Sequence, residues 1–141
     1  MNIQGVRRRA VRATDVNRAR LEWTLKGTPL RVKGLEHAGE VTAFGSTVAF
    51  DSYRIMRYLV SEVFVAGTYD MGQLPPEPRI VDCGANIGVA TWFFQWRYPD
   101  SSVIAIEPAP RSFALLARNI EVNQWNGVAL NEASAGEDGF V

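Results

Sequence analysis

The chain has 141 residues, of which 47% are apolar, with 15 Lys+Arg balanced by 15 Asp+Glu. This is the composition of one globular domain, and it excludes a collagen, a wholly disordered chain and a disulfide scaffold, since the single cysteine, Cys83, cannot bridge internally. The longest apolar stretches, residues 89–94 and 103–106, fall far short of the ~20 residues needed to cross a bilayer, so no membrane partner and a cytoplasmic, reducing location are expected.

Zero net charge hides an asymmetry. Residues 1–20 carry six arginines against Asp15, a charge of 6 − 1 = +5, which leaves −5 on the remaining 121 residues. A basic arm can meet nucleic acid, an anionic membrane or an organelle import receptor. No aromatic residue interleaves the arginines, so the arm reads as a disordered, solvated N-terminus and nucleic acid is not the expected partner.

Residues 21–78 read as an N-terminal hairpin and helix cap. Residues 41–44 and 47–50 are β-favouring runs around Gly45-Ser46, a two-residue hairpin turn. Asp51 or Ser52 can cap a helix to about Phe64, in which Ile55, Met56, Leu59, Val60 and Val63 recur at helical spacing. Gly67 ends it, and Gly72, Pro75, Pro76 and Pro78 make a stiff connector.

From residue 79 the pattern becomes strand, glycine loop, helix, strand, helix, strand. Ile80-Val81 and residues 103–106 are wholly apolar strands, residues 89–98 and 111–122 are helices, and residues 128–130 begin a third strand. Uniformly apolar strands are those buried on both faces, and this alternation implies a right-handed βαβαβ unit, so residues 79–141 are expected to be doubly wound α/β.

In such a sheet ligands bind beyond the carboxyl ends of the strands. Asp82 to Gly88 follows the first strand, where Gly84 and Gly88 let backbone turn sharply against a ligand with the amides of the helix start facing it. Glu107 ends the second strand, placed to accept both hydroxyls of a ribose. The spacing Gly84-x-Asn86-x-Gly88 matches neither G-x-G-x-x-G nor a nucleoside-triphosphate loop. Without a lysine to neutralise phosphate, and with Asp82 at the entrance, the site suits an adenosine ligand bearing ammonium and sulfonium charges. That ligand is S-adenosylmethionine.

Val81-Asp82-Cys83-Gly84-Ala85-Asn86-Ile87-Gly88, Ile106-Glu107-Pro108 and the upstream Glu62-Val63-Phe64-Val65-Ala66-Gly67-Thr68-Tyr69-Asp70 together resemble the FkbM family of S-adenosylmethionine-dependent methyltransferases. Ala133 to Gly139 is similar to that family's segment after the third strand. The resemblance implies a Rossmann-like class I methyltransferase fold and O-methylation of a hydroxyl on a sugar, polyketide or related small molecule. By position it implies a cofactor loop of Gly84, Ala85, Asn86 and Gly88, ribose held by Glu107, and Asp82 at the methionine end. Glu62 and Tyr69 would flank the methionine or acceptor side, with Tyr69 a further cofactor contact. It leaves the general base unassigned.

Only 59 residues follow Asp82, enough for the first βαβαβ half of a sheet of about seven strands. The chain is therefore expected to be truncated after its third strand. One edge of Ile80-Val81 would then be open to oligomerisation unless another chain or the hairpin covers it. The competing reading is an inactive or fragmentary module that binds cofactor weakly or pairs through that edge.

The ordinary explanations are specific too. Asp82 can cap the helix start, Cys83 can be a small buried hydrophobe, and His37, the single histidine, can be an exposed loop residue. Trp92, Phe93, Phe94, Trp96 and Tyr98 form an aromatic helix, with Phe93 and at least one tryptophan expected in the core. One histidine and one cysteine build no metal site.

Overall fold

The computed structural model describes residues 37–133. The arginine arm, residues 21–36 and the segment after Ala133 lie outside the described residues.

An antiparallel hairpin, β1 (Gly39–Ala43) and β2 (Ser46–Phe50), comes first. Its two-residue turn is Phe44-Gly45, with φ of 49° and 77°, rather than the expected Gly45-Ser46. Positive φ at both central residues is the condition for a type I′ turn. Phe44 is a costly residue there, by about 1–3 kcal/mol. It is held by its ring, stacked on Phe64 at a centroid distance of 4.4 Å and packed near Trp92 and Trp96. A one-residue slip of a strand reverses every side chain, so this aromatic contact sets which face of the hairpin is buried.

Helix α1 (Tyr53–Val60) is capped by Ser52, whose Oγ accepts the Ile55 N–H at 3.3 Å. It passes into a π turn over Ser61–Val65. Met56, Val60, Val63 and Phe64 are buried, while Ile55, expected inside, is exposed. The connector is stitched to the far end of the next helix. There Met71 N–H donates to the Tyr98 hydroxyl at 2.9 Å, Arg97 Nη2 donates to the Gly72 carbonyl at 3.1 Å, and Arg97 pairs with Asp70 at 3.4 Å.

The remaining elements are β3 (Arg79–Cys83), α2 (Val89–Arg97), β4 (Ser102–Ile106), α3 (Pro110–Asn123) and β5 (Gly127–Leu130). The three strands form a parallel sheet in the order β3-β4-β5. Two right-handed crossovers stepping in one direction must place both helices on the same face. On that face Ile80, Val103, Ala105 and Ala129 join Phe93, Leu116 and Ile120 in one hydrophobic cluster, which continues into Val48, Phe50, Met56 and Phe64 of the N-terminal elements.

The opposite face corrects the expectation of strands buried on both sides. Val81, Ile104 and Val128 stand in register across it, and they are 60%, 40% and 58% exposed. Cys83 belongs to the same alternation and is exposed rather than buried, because odd-numbered residues of β3 point away from the helices. β3 pairs with β4 alone among the described residues, and the hairpin forms a separate sheet that leaves the other edge of β3 open.

The aromatic helix is core, as expected. Trp92 and Phe93 are fully buried and Phe94 and Tyr98 nearly so. His37 is exposed and stacks on Tyr53 at 5.5 Å. No helix among the described residues is long and apolar enough to cross a membrane.

Candidate cofactor-binding site

The carboxyl ends of β3 and β4 carry the two segments singled out by the motifs. In the loop between β3 and α2, positive φ falls on alternate residues, with Gly84 at 75°, Asn86 at 52° and Gly88 at 91°. Asparagine tolerates the left-handed region better than other residues with a side chain, which accounts for its standing between two glycines. Gly84 has open space where a Cβ would be, whereas a Cβ on Gly88 would come within 2.8 Å of Leu116 Cδ1. One glycine therefore keeps the loop surface flat, and the other lets α2 start against α3.

The loop is bonded mainly to the protein itself. Gly84 N–H and Ala85 N–H donate to the Ile106 carbonyl at 2.9 and 3.0 Å, and Gly88 N–H donates to the Ala85 carbonyl at 2.8 Å. Asn86 N–H donates to Glu107 Oε2 at 2.8 Å. These four amides are satisfied within the protein. Buried amides must find partners, and in this loop they find them on β4 and Glu107.

Glu107 is consequently an organiser of the site as well as a candidate ligand. Its Oε1 accepts the Ala109 N–H at 2.8 Å, and the residue is 8% exposed. Each carboxylate oxygen has a second lone pair, so the hydroxyls of a ribose could be accepted without releasing either amide.

Asp82 is half-buried, and its Oδ2 accepts the Thr91 hydroxyl at 2.8 Å. Burial pushes its pKa above the ordinary carboxylate value, against the hydrogen bonds from Thr91 that favour the charged form. Thr91 belongs to the first turn of α2, so Asp82 ties the end of β3 to the start of that helix, and Thr91 uses one of its two oxygens. A raised folded-state pKa favours the protonated form. Its stabilising contribution is full below the unfolded-state pKa and is lost as pH rises through the folded value. Asp82→Asn, which keeps an acceptor for Thr91, is therefore expected to gain in thermal midpoint relative to the parent between pH 4 and pH 7. Parallel melting curves across that range test this, and a constant difference would contradict it.

Tyr69 is 46% exposed, with its ring edge-on to Phe94 at 6.0 Å, and the following residues are tied to Arg97 and Tyr98 at the far end of α2. Glu62, at the π turn, accepts the Thr68 hydroxyl through its backbone carbonyl at 3.0 Å. No cluster of three or more potential metal ligands occurs among the described residues.

The motifs did not point to Asn119. It is fully buried on α3, and its Nδ2 donates to the Ile87 carbonyl of the loop at 2.9 Å. A legible signal existed, since Asn119 and Asn123 lie four residues apart on a helix whose neighbouring positions Leu116 and Ile120 are apolar.

No family model matches the chain. Over 83 residues it is 34% identical to Methyltransferase 1 of Beauveria bassiana, covering 59% of this chain and 33% of that protein. It is 39% identical over 67 residues to methyltransferase sdnD of Sordaria araneosa, covering 48% and 26%. It is 36% identical over 77 residues to the 31-O-demethyl-FK506 methyltransferase FkbM of Streptomyces tacrolimicus, covering 53% and 30%. The chain thus spans about a third or less of the length of these relatives. In fold it is similar to P. horikoshii TYW2 in complex with MeSAdo, with a TM-score of 0.55 at 22% identity, covering 82% of this chain and 46% of that one. M. jannaschii TYW2 in complex with AdoMet gives a TM-score of 0.52 at 23% identity, covering 70% and 45%. The Rossmann-like α/β architecture expected from the motifs is therefore borne out, and the chain is a sequence relative of methyltransferases that include FkbM, over part of their length.

Proposed function

We propose that this chain supplies the S-adenosylmethionine-binding part of a methyltransferase that acts on a hydroxyl of a sugar, polyketide or related small molecule. The observation that carries the reading is the meeting of two features at the carboxyl ends of adjacent parallel strands. One is a loop with three alternating left-handed residues, and the other is a strand-ending carboxylate, Glu107, bonded to that loop. The charge of the site supports it, since Asp82 and Glu107 are accompanied by no lysine or arginine within residues 82–88 or 107–110. Such a site disfavours a pyrophosphate and suits a ligand with ammonium and sulfonium groups. The hydroxyl acceptor rests on the likeness to the FkbM enzyme, whose name gives an oxygen as its site of methylation.

In this reading Glu107 accepts the ribose hydroxyls, and the open surface at Gly84 and Ala85 lets the ligand lie against backbone. Asn86 and Gly88 shape the turn, and Asp82 faces the methionine end. S-adenosylmethionine, when bound, supplies a methyl group already activated by its sulfonium. The protein's tasks are then alignment, exclusion of water and removal of the acceptor's proton. None of the residues described takes the last of these in our reading.

The open edge of β3, with the exposed row Val81, Ile104 and Val128, favours a second reading, a half-domain whose role is to pair with further strands. Calorimetric titration of the soluble, unaggregated chain with S-adenosylhomocysteine separates the two. Saturable one-to-one binding is expected, and a folded chain that binds nothing would overturn the cofactor reading. Tyr69→Ala tests that residue's part in the site. Its exposure predicts a stability change within about 0.5 kcal/mol, and unchanged affinity for S-adenosylhomocysteine would remove Tyr69 from the site.

A further inference from the structure

Among the described residues the outer edge of β2 has no strand beside it, yet its backbone groups are paired. Asn123 Oδ1 accepts the Thr47 N–H at 2.8 Å and its Nδ2 donates to the Thr47 carbonyl at 2.8 Å. Two residues along, Asn119 Oδ1 accepts the Ala49 N–H at 2.8 Å and its Nδ2 donates to the Ala49 carbonyl at 3.1 Å. Positions two apart on a strand are about 6.8 Å apart, and positions four apart on a helix rise about 6 Å, so two asparagine amides on α3 can stand in for a strand.

Asn119 does something Asn123 does not. Its Nδ2 also reaches the Ile87 carbonyl, which lies between the left-handed residues Asn86 and Gly88. The 87–88 peptide would rotate if Gly88 left its positive φ, and the 85–86 peptide, which carries the Asn86 N–H, would rotate if Asn86 did. Glu107 holds the Asn86 N–H from the strand side, and Asn119 holds the next carbonyl from the helix side. One fully buried amide thus joins the N-terminal hairpin to the glycine loop.

We propose that Asn119 is a positioning residue for the loop, through which docking of the hairpin on α3 sets the conformation of residues 84–88 and hence the affinity of the site. The affinity part rests on the reading of that loop as a cofactor loop, and the conformational part does not. Asn123 is the matched control, because it grips the hairpin in the same way without touching the loop.

The test compares Asn119→Ala and Asn123→Ala by residue-resolved amide hydrogen exchange of the ligand-free chain, and by titration with S-adenosylhomocysteine well below the melting midpoint. Both variants should speed exchange at Thr47 or Ala49. Only Asn119→Ala should speed exchange at Asn86 and Gly88, and only it should weaken binding, by about tenfold, the equivalent of one hydrogen bond. Loop exchange that stays at the parent rate in Asn119→Ala, or that rises equally in both variants, would overturn the proposal. A parent chain that binds no S-adenosylhomocysteine would instead overturn the cofactor reading and leave the exchange result to judge Asn119. Should Asn119→Ala fail to fold, Asn119→Ser keeps a hydroxyl for one of the three partners and carries the same comparison.

Discussion

Glu107→Ala is expected to weaken S-adenosylhomocysteine binding by about 2–4 kcal/mol, on the order of 30- to 1000-fold in Kd, because the hydrogen bonds from ribose hydroxyls proposed for this carboxylate would be lost together. The same change removes the acceptor of two backbone amides, Asn86 N–H and Ala109 N–H. Part of the loss will therefore come from a loosened loop, and the folded state itself should lose about 1–3 kcal/mol. Calorimetry beside a denaturation curve separates the two contributions. Glu107→Gln is not a conservative control here, since its NH₂ group must face one of those N–H donors. If folded Glu107→Ala binds as tightly as the parent, the ribose assignment fails, whatever its stability.

Gly88→Val should be the most destabilising single change in the loop, by on the order of 3–5 kcal/mol. At φ of 91° a β-branched residue meets backbone strain, and a Cβ would meet Leu116 Cδ1 at 2.8 Å inside a packed core. Gly84→Ala is the informative contrast. At φ of 75° with open space around the added methyl, it meets the strain alone, about 1–2 kcal/mol. The denaturant midpoint of Gly88→Val should therefore fall much further. On the proposed cofactor reading, Gly84→Ala should do its greater damage to S-adenosylhomocysteine affinity, because the new methyl would project from the open loop surface that the ligand is proposed to use. Equal losses of stability in the two variants would mean that the loop relaxes freely and that the contact with Leu116 sets nothing.

The two carboxylates differ in what they do for the fold. Glu107 accepts two amides and organises the loop, whereas Asp82 is a half-buried acid that burial disfavours in its charged form. A residue that costs stability when ionised at neutral pH is readily explained if the charge serves a ligand. Asp82→Asn should accordingly raise the melting midpoint and weaken binding, a combination that a purely capping role would not produce.

Much of this chain could be read from local chemistry. Apolar runs bounded by glycine and proline located β3, β4, β5, α2 and α3 to within a few residues, because strand and helix periods are written into neighbouring side chains. The glycine loop and Glu107 were legible because few residue types can occupy a left-handed turn or end a buried strand with a charge. The hairpin register was decided elsewhere, since Phe44 enters the turn only because Phe64, Trp92 and Trp96 wait for its ring. The exposure of Val81, Cys83, Ile104 and Val128 depended on which face the two crossover helices cover, which no strand's own composition records. Asn119 is the sharpest case. Its three partners, at Ala49 and Ile87, lie 70 and 32 residues away along the chain, and only the packing of α3 between the hairpin and the loop brings them to one amide.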